Sequence, residues 1–428
     1  MSPSGSLSAA LNLLNTILGG GLGILPIPYL VRTAGVHWAA LLLMVVGIWA
    51  SHTSHALVRA WTLTGGDTYE AVALRTLGVR ASLLVSTIIV VFLFGVCVGC
   101  LDAVADVASE LVPREWALVI ATVLVSPVLV VVDGMEALAP LSALAAVLVA
   151  LFVGYAALRA ALGPRAASLA DGLVVHSSMT QLLNAMSIAI FSYLAHFNLL
   201  AIARTLPGST RAEQAAGMNS VIRITTALAF AVYLSVGLVG FLCFGEHTSG
   251  DILSNYAATA AGQVCRWVIA AGLLASTPLF AFEGVNELTQ LWVRAAAAGS
   301  KQGASPPPSP RGEDEETTLR PGERSPLLTS TAAPSRDHRT ARMLFAGLWC
   351  VSMALVAMVF SGTHSVFAIT GAVCGTPVMC VLPPLMLLQC DLEMSEFTRS
   401  LNRAFAVLGV VATAACSTSA VYSAVHDN

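Results

Sequence analysis

The sequence is poor in charged residues. Asp, Glu, Lys and Arg make up 11% of its 428 residues, whereas about a quarter of the residues of an average soluble protein are charged. The net charge is only −3, so there is no excess of basic residues, and no nucleic-acid partner is predicted. Hydrophobic residues make up 56% of the chain instead. This composition indicates a polytopic membrane protein that lies in a lipid bilayer.

Signatures of catalysis and of metal binding are also missing. Neither H-E-x-x-H nor G-x-S-x-G occurs, so the chain is predicted to have no catalytic residues and not to be an enzyme. Cys97 and Cys100 have no second Cys or His pair nearby that would complete a metal site, so they are predicted to be packing residues. No cofactor is expected, and no metal other than a sodium ion.

Eleven apolar segments are each long enough to cross a bilayer, whose hydrocarbon core requires roughly 20 helical residues. They predict an all-α polytopic membrane protein with eleven transmembrane helices, eight within residues 1–297 and three within residues 341–428. The distribution of Arg in the connections predicts a cytoplasmic N-terminus and a C-terminus outside the cell or in a lumen. The segments are 7–32, 37–61, 81–110, 116–133, 138–160, 180–203, 220–245, 263–293, 342–362, 364–390 and 402–425.

One long connection differs in composition from the rest of the chain. Residues 298–340 are rich in Pro, Ser, Gly and charge, which predicts a disordered cytoplasmic loop. Within it, Glu323, Leu327 and Leu328 match an acidic dileucine sorting signal, for which the alternative is a chance match. A clathrin adaptor that binds this signal would direct the protein to a lysosomal, vacuolar or endosomal membrane. The plasma membrane is the alternative location.

The first apolar segment contains helix-breaking residues in its middle. Four glycines at 19–23 each weaken a helix by about 1 kcal/mol relative to Ala, and Pro26 and Pro28 each lack a backbone donor. Lipid cannot bond to the backbone groups that such a break frees, so the break is expected to face a cavity lined by protein. The alternative is that the glycines let neighbouring helices pack closely.

The sixth segment is also expected to be interrupted. Ser192, His196 and Asn198 lie at mid-membrane depth, where polar side chains are costly and usually face a cavity. For His196 the alternative is a core histidine whose hydrogen bonds are satisfied. Transporters built from inverted five-helix repeats break the first helix of each repeat, and helix six begins a second repeat five helices after the first. The sequence therefore predicts a binding site between the two breaks.

An amino acid fits the chemistry of such a site. Backbone N–H groups released in the first break favour a carboxylate, and carbonyls released in the second can accept from an ammonium. The predicted substrate-binding residues are Gly19, Gly20, Gly21, Leu22, Gly23, Phe191, Ser192, Tyr193, Ala195 and His196.

Two further groups of polar residues lie in the membrane segments. Ser276 and Thr277 of helix eight would form a cation site with Asn15 and Thr16 of helix one, and the alternative is that their hydroxyls bond back to their own helix. Three acids share one face of helix three near the bilayer edge and are predicted to line a solvated vestibule rather than a proton relay. They are Asp102, Asp106 and Glu110. The first of them lies deep enough for a relay to remain its alternative role.

These features resemble the amino acid/auxin permease family, most closely its sodium-coupled neutral amino acid and vacuolar transporters. The resemblance rests on N-L-L-N at 12–15 before the glycines, S-H-A-L at 54–57, the stretch 191–196, D-I-L-S-N-Y at 251–256 and the stretch 371–383. It implies a LeuT-type fold of inverted five-helix repeats with broken helices 1 and 6, and a sodium ion held by the residues that match Asn15 and Ser276. The short connection at 161–179 lacks the glycosylation sequon of many cell-surface members, which favours an intracellular membrane.

The sequence thus predicts a secondary active amino acid transporter that works by alternating access. Sodium and protons both remain candidates for the coupling ion. The alternative function is an amino acid sensing transceptor that signals through a cytoplasmic partner.

Overall fold

The computed structural model describes residues 3–132, 138–173, 177–256, 259–301, 336–359 and 363–426. All regular elements within these ranges are helical. Gly19–Gly21 and Gly245–His247 are 3₁₀ turns, and Gly371–Gly375 and Pro377–Val381 are π-helical. The α-helices are α1 (Pro3–Leu18), α2 (Ile27–Ala34), α3 (Val36–Thr64), α4 (Tyr69–Leu77), α5 (Val79–Ala108), α6 (Arg114–Val131), α7 (Ala139–Leu162), α8 (Leu169–Leu173), α9 (Met179–Tyr193), α10 (His196–Thr205), α11 (Arg211–Phe244), α12 (Ile252–Asn255), α13 (Ala260–Lys301), α14 (Arg336–Val359), α15 (Thr363–Thr370), α16 (Leu382–Cys390) and α17 (Glu396–His426).

Ten helical segments in the described ranges are long and apolar enough to cross a membrane. Each overlaps one of the second to eleventh segments predicted from the sequence. In the first predicted segment, the apolar helix Gly5–Leu18 is shorter than these ten and is followed by a turn. The ten are Val36–Thr64, Val79–Ala108, Arg114–Val131, Ala143–Leu162, Met179–Thr205, Arg211–His247, Ala260–Arg294, Arg339–Val359, His364–Cys390 and Glu396–Ser423.

The turn in the first segment follows from its glycines and prolines. α1 ends at Leu18, and Gly19 and Gly21 have φ values of +60° and +104°, a left-handed conformation that residues with a Cβ rarely adopt. Pro26 precedes α2 and Pro28 lies in its first turn, where a missing N–H removes no bond within the helix. The first membrane segment is therefore interrupted between α1 and α2.

The sixth segment is interrupted more briefly. α9 begins after a capping box at Ser178 and ends at Tyr193. Leu194 has a ψ of 104° and Ala195 a φ of −129°, both non-helical, and α10 begins at His196. This break contains neither Gly nor Pro, so contacts with other helices rather than local propensity must stabilise it.

Helix packing places both breaks inside the bundle. α11 packs along α1, α2 and α3, whereas α13 packs along α5 and α7. α9 packs against α2, α3 and the π-helical turn at Gly371–Gly375. At Gly371 a Cβ would lie 2.3 Å from the carbonyl oxygen of Ser187, so glycine lets these two backbones approach closely.

Helices border the long connection that was predicted at 298–340. α13 runs to Lys301 and α14 begins at Arg336. The predicted sorting signal at 323–328 lies outside the described residues. Its role therefore stays a prediction.

The acidic residues at the end of α5 are paired with arginine. Arg114, at the start of α6, forms ion pairs with both Asp102 and Asp106 and donates to the carbonyl of Ala357 at 3.2 Å. The Asp102 side chain is fully buried. The prediction of a solvated vestibule is wrong for Asp102, because the short connection after α5 returns Arg114 alongside it.

Two further acids lie at the same end of the bundle. Arg266 forms an ion pair with Glu110, and its hydrogen bond lowers the pKa of that carboxyl. Burial raises the pKa of Asp251 to about 7, and the nearby carboxylate of Asp106 adds to the increase. Asp251 still accepts a hydrogen bond from the N–H of Leu253 at 3.0 Å. Residues 250–253 of the connection after α11 are thus buried near these charged groups.

Candidate substrate site

The two breaks meet at one small cavity, called the central cavity here. Its walls come from the first break, α5, the second break and α13. The volume of about 20 Å³ is room for about one water molecule, so the helices are closed around the site in this conformation. The lining residues are Thr16, Ile17, Gly19, Leu22, Gly23, Phe92, Val96, Phe191, Leu194, Phe197 and Phe280.

Aromatic rings form much of the wall. The ring of Phe92 lies 5.7 Å from those of both Phe191 and Phe197, centroid to centroid. Phe191 also stacks on Phe367 at 4.7 Å. No lining residue is charged. The cavity is therefore suited to a neutral side chain, with polar contacts restricted to its edges.

Polar side chains connect the two breaks. The hydroxyl oxygen of Ser192 lies 3.0 Å from the carbonyl oxygen of Gly23 and 2.9 Å from that of Ile188 in its own helix. Asn198 of α10 donates to the hydroxyl of Thr16 at 3.3 Å. These contacts satisfy backbone and side-chain groups that an interrupted helix leaves inside the bundle.

Tyr233 of α11 contacts both breaks through its hydroxyl. The phenol oxygen lies 2.7 Å from the carbonyl oxygen of Ile17 and 2.6 Å from that of Ser192. Its ring is fully buried and packs edge-on against Tyr193, with the centroids 5.3 Å apart. The sequence analysis missed this residue. A signal was present, because a tyrosine inside an apolar segment requires a polar partner for its hydroxyl.

Two N–H groups of the first break form hydrogen bonds within the turn. Leu22 donates to the carbonyl of Gly19 at 3.1 Å, and Gly23 donates to that of Leu18 at 3.3 Å. Two of the backbone donors predicted to bind a carboxylate, those of Leu22 and Gly23, are thus already hydrogen-bonded in this conformation. A carboxylate that binds to these two groups would have to compete with their present bonds.

The structure brings only part of the predicted substrate site to the cavity. Of the predicted residues, those that line it are Gly19, Leu22, Gly23 and Phe191. Gly20 lies in the 3₁₀ turn and Ala195 in the second break. Gly21 does not line the cavity and lies next to Val149 of α7 and Ile269 of α13.

Three predicted residues remain. Ser192 bonds to the carbonyl of Gly23 as described above, and the side chains of the other two face α3 and α11. His196 is buried, and its Nε2 lies 3.0 Å from the hydroxyl of Thr53 and 3.2 Å from that of Ser54. Its Nδ1 has no hydrogen-bond partner among the described residues. Tyr193 packs on the ring of Tyr233. Both residues thus connect the second break to neighbouring helices and do not line the cavity.

The hydroxyls predicted to hold a cation bond back to their own helix. Ser276 donates to the carbonyl of Gly272 at 3.0 Å, and Thr277 donates to that of Leu273 at 2.8 Å. Both are fully buried. Each hydroxyl oxygen keeps lone pairs for a cation while its proton is donated. Pro278, which follows them, lacks the N–H that would occupy a carbonyl one turn earlier.

The chain is similar to curated transporters from several organisms. It shares 27% identity with amino acid transporter AVT6E of Arabidopsis thaliana over 278 residues, 59% of this chain and 55% of that protein. Identity to vacuolar amino acid transporter 2 of Saccharomyces cerevisiae is 23% over 295 residues, 64% of this chain and 59% of that protein. Sodium-coupled neutral amino acid transporter 7 of Rattus norvegicus is 29% identical over 125 residues, 29% of this chain and 26% of that protein. The chain spans about half the length of the first two.

Solved structures with this fold are also transporters. A mutant of the manganese transporter of Eremococcus coleocola aligns with a TM-score of 0.59 and 14% identity, covering 100% of this chain and 90% of that chain. The same transporter in complex with an aromatic bis-isothiourea substituted compound gives 0.57 and 13%, covering 97% and 88%. At such low identity the likeness shows the fold alone, which is LeuT-like.

The family comparison covers nearly the whole chain. A family model described as transmembrane amino acid transporter protein matches residues 2–425. This is a family of transporters and not of enzymes. The match confirms the family that the sequence motifs resembled. The chain belongs to the transmembrane amino acid transporter family.

Proposed function

We propose that the chain is a secondary active transporter that couples the movement of a neutral amino acid to a sodium or proton gradient by alternating access. The observation that carries the proposal is the meeting of two interrupted helices at the central cavity. In this proposal α1 and α2 together cross the membrane, which gives eleven crossings. The interrupted crossings are then the first and the sixth, the first helices of two inverted five-helix repeats.

The central cavity supports an amino acid with an uncharged side chain. Its phenylalanines would contact that side chain, and backbone groups of the two breaks would hold the charged ends. In the closed conformation those backbone groups bond to one another and to Ser192 and Tyr233. Substrate binding therefore exchanges internal hydrogen bonds for bonds to the ligand.

The coupling cation is proposed to bind beside the first break, between α1 and α13. A cation drives transport only if it stabilises the substrate-bound form differently from the empty form. Proximity supports this location, since α13 packs against the 3₁₀ turn at Gly19–Gly21. The proposed ligands are Asn15, Thr16, Ser276 and Thr277.

We place the protein in a lysosomal, vacuolar or endosomal membrane with its N-terminus in the cytoplasm. Two observations support this: the similarity to a yeast vacuolar transporter and the acidic dileucine sequence at 323–328. A clathrin adaptor is the proposed partner of that sequence.

Uptake by purified protein in liposomes tests the proposed function. With a panel of radiolabelled amino acids, an imposed sodium gradient or pH gradient is expected to drive accumulation of neutral amino acids. If sodium is the coupling ion, Thr277→Val is expected to raise the half-saturating sodium concentration about tenfold or more. The reason is that a bond to a charged group contributes about 1.5–3 kcal/mol, and 1.4 kcal/mol is tenfold in affinity.

Thr289→Val is the matched control for this variant. Thr289 lies on the same helix, is fully buried and donates to its own helix at 2.7 Å. The half-saturating sodium concentration of Thr289→Val is expected to equal that of the wild type. Uptake driven by protons alone would retain the transporter and overturn the cation site. The absence of gradient-driven uptake for every amino acid would overturn the proposed function.

A further inference from the structure

One hydroxyl serves two backbone carbonyls, one from each break. The Tyr233 oxygen lies 2.7 Å from the carbonyl oxygen of Ile17 and 2.6 Å from that of Ser192. α1 ends one residue after Ile17, and α9 ends one residue after Ser192. Both carbonyls thus belong to final helical turns, where no intrahelical donor remains for the carbonyls.

A phenol carries a single proton, so it donates to one of the two carbonyls at a time. The other carbonyl oxygen still lies within hydrogen-bond distance of the phenol oxygen and retains capacity to accept. Ser192 cannot supply the missing proton with its own hydroxyl, because that group faces the carbonyls of Gly23 and Ile188. The arrangement has one donor fewer than its acceptors require, beside the central cavity that Ile17 lines.

The chain is built to bring the phenol to this position. At Gly23 a Cβ would lie 3.1 Å from the Tyr233 oxygen and 3.3 Å from the carbonyl oxygen of Ile17. A side chain there would push the phenol away from the first break. Tyr193 packs edge-on against the ring of Tyr233, with 5.3 Å between the centroids. These contacts fix the phenol between the two breaks.

We infer that Tyr233 is a positioning residue for the substrate ammonium. It holds the carbonyls of Ile17 and Ser192 close together, so that an ammonium finds two acceptors at a spacing that is already set. When the ammonium donates to one carbonyl, the phenol donates to the other, and all three groups are satisfied. This inference rests on the proposed function, since it assigns a role at the same site.

Tyr233→Phe removes the hydroxyl and keeps the ring. Without the shared donor, the two carbonyls separate, and an amino acid must bring them together again. We expect the Michaelis constant for the best amino acid substrate to rise about tenfold, with little change in the maximal rate per folded protein. The inhibition constant of the matching carboxylic acid that lacks the amino group is expected to stay within twofold, because that analogue needs no ammonium site.

Tyr69→Phe controls for the loss of a buried tyrosine hydrogen bond. Tyr69 is 1% exposed and donates to the carbonyl of Val378 at 2.9 Å. The Tyr69→Phe variant is expected to lower the melting temperature about as much as Tyr233→Phe does, and to leave the Michaelis constant unchanged. Equal weakening of the amino acid and its deaminated analogue in Tyr233→Phe would overturn the inference, as would no weakening of either. If the wild type transports amino acids and Tyr233→Phe gives either of these two results, only this inference fails. If the wild type takes up no amino acid, the proposed function fails with it.

Discussion

Gly21→Ala is expected to abolish amino acid uptake, reducing it at least a hundredfold per folded protein. Gly21 has a φ of +104°, and holding a residue with a Cβ in such a conformation costs about 1–3 kcal/mol. The Cβ would also lie 2.6 Å from a methyl carbon of Val149 and 3.1 Å from one of Ile269. The 3₁₀ turn must therefore move away from α7 and α13, and it carries the cavity residues Gly19 and Leu22 with it.

The measurement is initial-rate uptake in liposomes, normalised to protein that elutes as a single species in size-exclusion chromatography. Gly154→Ala is the matched control. Gly154 lies inside α7, and a Cβ there would meet nothing within 4 Å. This change is expected to leave uptake unaltered, because alanine is more favourable than glycine inside a helix. Uptake by Gly21→Ala within twofold of the wild type would contradict the assignment of the turn to the substrate site.

Arg114→Met is expected to cause the largest loss of stability. Arg114 pairs with Asp102 and Asp106, and the Asp102 side chain is fully buried. Removing one partner of a buried ion pair costs about 3–5 kcal/mol, because the other charge loses its counter-charge in a medium of low polarity. Adding Asp102→Asn to Arg114→Met is expected to recover at least half of the loss, since it removes the buried negative charge that Arg114 neutralises.

Thermal unfolding in detergent, followed by size-exclusion chromatography after heating, measures this effect. Arg399→Met is the control, because Arg399 pairs with Glu396 at the helix surface, where the Glu396 side chain is 81% exposed. Surface pairs contribute about 0–1 kcal/mol, so the melting temperature of Arg399→Met is expected to differ little from that of the wild type. Similar melting temperatures for Arg114→Met and Arg399→Met would show that the buried pair does not stabilise the bundle.

Local sequence determined the parts of this fold that were predicted well. Long apolar runs predicted ten of the membrane segments, because each must satisfy its backbone within one helix. The break after Leu18 was predicted because glycines with positive φ and two prolines cause it locally. In the second break Leu194 and Ala195 have no such preference. That break was located from mid-membrane polar residues and from repeat spacing.

Contacts between distant segments account for what the sequence analysis missed. Phe92 and Phe280 reach the central cavity from helices that carry no special motif, and a phenylalanine in an apolar run gives no sign of which face it occupies. Asp102 was expected to be solvated because the sequence gives its distance along the helix. The sequence does not show that Arg114 packs beside it and pairs with it. His196 was expected at the substrate, but its polar partners Thr53 and Ser54 lie on α3.

The measurement that tests the central claim most directly compares substrate selectivity after two changes on α5. Phe92 lines the central cavity, whereas Phe94, two residues later, packs against Trp349 with ring centroids 5.3 Å apart. If an amino acid side chain occupies the cavity, Phe92→Ala enlarges its pocket and is expected to shift relative uptake towards larger neutral amino acids by about tenfold. This is the usual size of discrimination by one or two methylene groups. Phe94→Ala is expected to leave the ratio unchanged. An unchanged ratio in Phe92→Ala, or an equal shift in both variants, would contradict the placement of the substrate between the two broken helices.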